Sequence, residues 1–248
     1  VVRREKAMKK ISFIIIMLMA CMISGCSKAN ASKLGYETYK ETYQLTDEYS
    51  FEYIQVRGME DQELQEKINS SLTGELFDYI EWGHIEYYHY TTFEPVIHLQ
   101  SEKYLSVENM FKQIENGRSM STEWVCITVD METGEIVYLD DLIQLDEEFA
   151  EFIKEQKLIK RDSWLSWTDE EMTEMVNDLY SRMTEREILE LFQAFSTEEL
   201  YKIWLQNDNW RTYYYLEEGT LVYNHMDGLV RTWIDIDDIS DFLKVEPW

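Results

Sequence analysis

The sequence predicts an α+β fold, antiparallel sheets with helices packed on them. Runs of Tyr, Thr, Val and Ile that alternate with polar residues occupy the start, middle and end of the chain. Runs with apolar residues every third or fourth position lie between them. Their order is two strands, a helix, strands, helices, then strands again, not the strict alternation of a parallel sheet. With 45% hydrophobic and 14% aromatic residues, the chain can bury a core despite a net charge of −26.

The first elements are "YETYKETYQL" (36–45) and "YSFEYIQV" (49–56), an antiparallel hairpin around "TDE". Gly58 ends the second strand. Asp61 then reads as the N-cap of a helix, with Glu63 and Glu66 in its first turns. Leu64, Ile68, Leu72, Leu76 and Ile80 recur every fourth residue on one face, and the helix leads out through Trp82 and Gly83.

Strands are expected next at "HIEYYHYTTF" (84–93), "VIHLQ" (96–100), "KYLSVENMF" (103–111) and "TEWVCITVD" (122–130). In the last, Val125, Ile127 and Val129 point one way, and Trp124, Cys126 and Thr128 the other. "METG" (131–134) is a turn and "EIVYL" (135–139) its returning strand, followed by a helical turn at "DDLI" (140–143).

From Asp146 the period is helical, with Phe149, Phe152 and Ile153 on one stripe. "TDEE" (168–171) and "STEE" (196–199) are capping-box patterns. Met172, Met175, Val176, Leu179, Tyr180 and Met183 follow the first, and Leu200, Ile203 and Trp204 the second. The chain closes with strands "RTYYYLEEG" (211–219), "TLVYNHM" (220–226) and "LVRTWIDI" (229–236), then a helical turn "DISDFL" (238–243).

The segment before the fold has its own chemistry. Lys9 and Lys10 precede an apolar run, Phe13 to Ile23, that ends in Ser24-Gly25-Cys26. A membrane span needs ~20 apolar residues, so the run is short for one. A basic start, a short apolar core and small residues at its end describe a secretory signal. Ile23-Ser24-Gly25-Cys26 resembles the lipobox of bacterial lipoproteins, an aliphatic residue, two small residues and a Cys. The resemblance implies a diacylglyceryl group on the Cys26 thiol and cleavage after Gly25. Residues 1–25 are then a signal, 26–35 a tether, and the folded part faces the exterior, anchored to the cell membrane by lipid.

Charge and cysteines bound the function. The signal holds Arg3, Arg4, Lys6, Lys9 and Lys10 against Glu5, so its loss deepens the charge of −26 by four, to −30. A field of that sign repels nucleic acid and anionic head groups and attracts cationic partners in a salt-dependent way. Cys21 leaves with the signal and Cys26 carries lipid, so Cys126 has no partner for an intramolecular disulfide. A buried, inert thiol in the "EWVCITVD" strand is expected.

Three stretches, in this order, carry a further resemblance. "YIQVRGMEDQELQEKIN" (53–69) resembles the start of the deacetylase-associated (DUF4163) domain, with Ile54 where that family usually has Pro. "VDMETGEIVYLDDLI" (129–143) resembles the most recognisable segment of the RsiV-like (DUF3298) domain, and "GLVRTWIDIDDISDFL" (228–243) its closing strand and helix. The resemblance implies one module over 36–92 and an RsiV-like module over 93–248, with an enlarged helical block at 146–207. "ENGRSMS" (115–121) replaces the family's Gly-Gly-Ala-His turn. One anti-sigma member of the family senses lysozyme. The resemblance therefore implies a basic protein as partner.

No catalytic or metal motif stands out. His84, His89 and His98 share one β-rich stretch at spacings that match no short zinc motif, and solvated or core histidines explain them. "DIDDISD" (235–241) lacks the EF-hand spacing and reads as an acidic helix start. There is no P-loop, G-x-S-x-G or H-E-x-x-H. No catalytic residue, metal or cofactor is expected, and a hydrolase assembled from distant residues is the alternative. Tyr88 and Tyr90 share one strand face and Tyr87 the other, and Trp164 and Trp167 stand at a helix start. These rings could stack on a cell-wall glycan or anchor a protein, the candidate binding surface beside a cationic-protein partner.

Overall fold

Alternating Tyr and Thr residues open the described part of the chain as the expected hairpin. In the computed structural model the described residues are 34–44, 50–82, 89–92, 95–115, 118–155, 174, 177–178, 180–193, 213–225, 230–246 and 248. Strand β1 (Glu37–Gln44) pairs antiparallel with β2 (Ser50–Arg57) from Glu37↔Arg57 to Gln44↔Ser50. Gly58 leaves β2 at φ +84°, which few other residues adopt. Helix α1 (Gln62–Trp82) follows. Asp61 caps it, its Oδ1 accepting the Leu64 N–H at 3.0 Å. Ile68, Leu72 and Leu76 are buried along one stripe.

Asn69 lies beside that stripe and finishes β2. Its Oδ1 accepts the Val56 N–H at 2.7 Å and its Nδ2 donates to the Val56 carbonyl at 2.9 Å. A side-chain amide thus supplies the donor and acceptor that a neighbouring strand would give an open edge.

The central sheet holds β3 (His89–Thr92), β4 (Val96–Gln100), β5 (Tyr104–Glu115) and β6 (Arg118–Asp130). Both β3 and β4 pair antiparallel with β5, at different levels, and β6 pairs along its length. Alternation sorts the two faces. Leu105, Val107, Val125, Ile127 and Val129 join Ile54, Val56 and the α1 stripe in one core. Ser106, Glu108, Trp124, Cys126 and Thr128 fall on the opposite face.

That second face is covered by a meander of β7 (Tyr213–Glu217), β8 (Thr220–His225) and β9 (Val230–Asp235). Tyr213 meets Trp124, ring centroids 5.6 Å apart, and the Leu216 N–H donates to Ser106 Oγ at 3.0 Å. On the far side of the meander Leu216, Leu221, Tyr223 and Ile234 form a second core. It is shared with α2 (Leu139–Leu142), α3 (Glu147–Glu155) and α4 (Glu185–Gln193). Phe192 of α4 stacks on Tyr223 at 4.2 Å and 12°. A 3₁₀ turn, Ile236–Phe242, closes the chain and sets Phe242 against Phe149. It is the helical turn expected at "DISDFL", in 3₁₀ form.

Several expectations change. "EIVYL" forms no strand beyond a single bridge, Val129↔Ile136. The chain leaves the sheet there because Val137 and Leu139 are claimed by the second core. Gly134 makes the preceding turn at φ +73°, where an added Cβ would stand 3.0 Å from the Lys67 side chain. The stretch 115–121 is mostly strand, since β5 and β6 pair as far as Glu115↔Arg118 with two residues between. Helix α4 falls within the helical block expected at 146–207, and Thr184 and Glu187 make a capping box before it. The Thr184 N–H and Oγ1 donate to Glu187 Oε2 at 2.7 and 2.9 Å, and the Glu187 N–H donates to Thr184 Oγ1 at 3.3 Å. The "TDEE" and "STEE" caps lie outside the described residues.

Candidate functional site

Covering both faces of the central sheet forces its polar residues to find partners inside. Glu108, on β5, is almost fully buried and takes two. Arg231 Nη2, from β9, donates to its Oε1 at 2.8 Å. His98 Nε2, from β4, lies 3.2 Å from its Oε2. The pairing of β4 with β5 shifts register between Ile97 and Leu99, so His98 sits at a bulge, which re-aims a side chain.

The β7 strand completes the cluster. Tyr215 is fully buried, and its ring stacks on His98 at 3.7 Å and 16°. Its hydroxyl accepts from Arg231 Nη1 at 3.2 Å. Glu217 Oε1 lies 3.5 Å from His98 Nδ1, so each imidazole nitrogen faces a carboxylate. A neutral imidazole offers one N–H and can hydrogen-bond to one of the two at a time.

Burial lowers the Arg231 guanidinium, but Glu108, Tyr215 and Cys126 together outweigh it and hold the group above its ordinary value. Burial pushes the Tyr215 phenol up, with Arg231 opposing. Cys126 stands directly across from Glu108 on β6. Part of its surface stays exposed, yet burial around the sulfur, and then the Glu108 carboxylate, push its thiol well up. A thiol so placed is a poor nucleophile. Asn224, paired across the ladder with Arg231, is fully buried, and among the described residues neither of its side-chain amide atoms has a partner.

Chemically the cluster is a brace. It joins β4, β5, β7 and β9, and each of its charged groups is engaged by another member. Among the described residues no group of three or more His, Cys, Asp or Glu side chains is placed to hold a metal ion.

The outward surface differs. Every lysine and arginine whose side chain is described is taken up internally. Lys40 pairs with Glu52, Arg57 with Glu37, Lys67 with Glu135 and Lys154 with Glu185. Arg182 pairs with Asp178, Arg186 with Glu190, and Lys244 with Asp140. Lys103 donates to the Glu246 carbonyl and lies over Tyr104. On β1, the residues Glu37, Tyr39, Glu41 and Tyr43 share one face by alternation, opposite Arg57, Gln55, Tyr53 and Phe51. Tyr43 is 41% exposed.

The residues singled out in the sequence lie elsewhere. Ile23, Ser24, Gly25, Cys26, Tyr87, Tyr88, Trp164 and Trp167 are outside the described residues. Tyr90 is on β3 opposite Gln113, and its side chain is outside them too. His98 is a largely shielded histidine, part of the brace; the side chains of His84 and His89 are not described. The brace itself was not anticipated. Its signal was a lone carboxylate, Glu108, alternating with Ser106 opposite an apolar face in "YLSVENMF". The acid–tyrosine alternation of β1 was equally plain in "ETYKETY".

No protein-family model matches the chain, and no curated protein matches it. Among solved structures it is similar to a member of the DUF3298 family from Bacteroides fragilis. The identity is 12% and the TM-score 0.46, over 85% of this chain and 93% of that one. A likeness this weak leaves function to the chain's own residues. Among them, no described helix is long and apolar enough to cross a membrane.

Proposed function

We propose that the chain is a non-catalytic, lipid-anchored lipoprotein of the cell envelope whose acidic extracytoplasmic domain binds a basic partner protein, lysozyme being the named case. The observation that supports this is the fate of the positive charges. Described lysines and arginines pair with the protein's own carboxylates, Lys103 with a backbone carbonyl instead, while the chain has 49 acids against 23 bases. Exposed ion pairs of this kind add little stability. What they do is cancel the described outward cations other than Lys103, so the unpaired acids set the sign of the surface field. His98 and Cys126, described groups that could serve chemistry, are taken up in the brace or held as an inert thiol.

The test is a titration of the full chain with lysozyme at low and moderate salt. Binding that weakens as salt rises is expected, because screening shortens the reach of the field. Absence of binding at both salts removes lysozyme as the partner. Mass spectrometry of the membrane fraction tests the anchor: Cys26 still joined to Gly25 and unmodified would remove it.

A further inference from the structure

We propose that the outer face of β1, where Glu41 lies among Tyr39, Tyr43 and Tyr53, binds an arginine or lysine side chain of a cationic partner protein. The inference rests on the reading that the acidic surface meets a basic partner, and assigns it a contact site.

The first half of the stripe already shows the recognition. Arg57 Nη2 and Nε lie 3.2 and 3.3 Å from Glu37 Oε2, and its guanidinium carbon stands 5.3 Å from the centre of the Tyr39 ring. A carboxylate neutralises the cation and a ring face covers it, an arrangement that favours guanidinium and ammonium groups.

The second half repeats these residue types four positions on, Glu41 and Tyr43, without a cation of its own among the described residues. The cross-strand partner of Glu41 is Tyr53, where the partner of Glu37 is Arg57. Among the described residues no lysine or arginine forms an ion pair with Glu41. Burial, and then Glu41 beside it, push the Tyr53 phenol up to about 12, so Tyr53 stays neutral. A carboxylate has about four acceptor positions, which leaves Glu41 room for an incoming N–H.

The rings are held ready. Phe77 of α1 and Phe51 of β2 back the Tyr43 ring at 4.9 and 5.3 Å, and Phe77 meets Tyr53 at 5.5 Å. A ring fixed by packing before contact loses little freedom on binding. A neutral sugar could also stack there and donate its hydroxyls to the carboxylate, but it would bring no opposite charge to it. A cation uses both.

Hexa-arginine peptide is the probe, titrated at low salt into the native full chain and into Tyr43→Ala, Glu41→Gln and Glu151→Gln. Glu151 is an exposed acid on α3 and serves as the remote control. Tyr43→Ala and Glu41→Gln should each weaken binding about 2- to 5-fold, as for an exposed cation–π contact or ion pair. Glu151→Gln should leave it unchanged. Glu41→Gln keeps the shape of the site, so it decides the matter if Tyr43→Ala disturbs the fold. Three results overturn the site: no binding of hexa-arginine to the native chain, equal losses in all three variants, or no loss at Glu41 and Tyr43. A Tyr43→Ala loss confined to purified cell-wall glycan also overturns it. If lysozyme fails to bind while hexa-arginine still depends on Glu41 and Tyr43, the named partner falls and the site stands. If lysozyme binding is salt-sensitive but neither ligand responds to these variants, the site falls and the partner stands.

Discussion

Glu108 and Arg231 meet across the gap between the central sheet and the C-terminal meander, Oε1 and Nη2 2.8 Å apart, although 123 positions separate them in the chain. The contact is shielded, with side chains 5% and 14% exposed. Such a pair is weak as a source of net stability, because each charge loses its water. It is strongly felt when one partner is removed and the other stays charged and buried.

Glu108→Gln or Arg231→Met should therefore each destabilise by about 3–5 kcal/mol, measured by urea unfolding. The double variant should cost less than the sum of the two, because the second change removes the stranded charge left by the first. Additive costs would show that the two side chains act independently.

Asn69 is expected to hold β2 in place. Asn69→Leu keeps the bulk but strands the Val56 N–H and carbonyl, at about 1–3 kcal/mol. The exposed neighbouring change Ser70→Ala should stay within about 0.5 kcal/mol. Hydrogen exchange at Val56 is the local readout, and it should quicken in Asn69→Leu alone.

Cys126 should alkylate slowly in the folded chain. Burial and Glu108 disfavour its thiolate, the reactive form. Iodoacetamide labelling at pH 8, read by mass spectrometry on the Cys126 peptide, should run on the order of tenfold or more slower in the folded than in the urea-unfolded chain. Equal rates would place the sulfur in water.

Acid should loosen the helical side of the second core. Asp146 accepts the Phe149 N–H at 3.0 Å at the start of α3, and that bond holds its carboxyl below the ordinary 3.8. Glu185 is lowered from 4.5 by its hydrogen bond with Lys154, and Glu187 from 4.5 by Thr184. A carboxyl whose folded value is depressed adds stability above its unfolded value and loses it as pH falls through the folded one. Stability should thus be level above about pH 5 and begin to fall as pH drops past 4.5 and then 3.8. Asp146→Ala should cost about 1 kcal/mol at neutral pH, as for a lost N-cap. Its stability-versus-pH curve should be flatter on the acid side than that of the native chain.

The sequence by itself determined the α+β class, the β1–β2 hairpin, the Asp61 cap, the helical period from Asp146, and the division of β6 between Val125, Ile127, Val129 and their opposite neighbours. These are local matters, decided by period, capping side chains and turn residues within a few positions of one another. Only the tertiary structure decided that "EIVYL" would leave the sheet and that β6 would face β7. It also decided that Glu108 would find Arg231 and His98. Alternation says which residues share a face; what covers that face depends on how separate sheets stack. Stacking is settled by the summed burial of many side chains from distant parts of the chain, which no local stretch records.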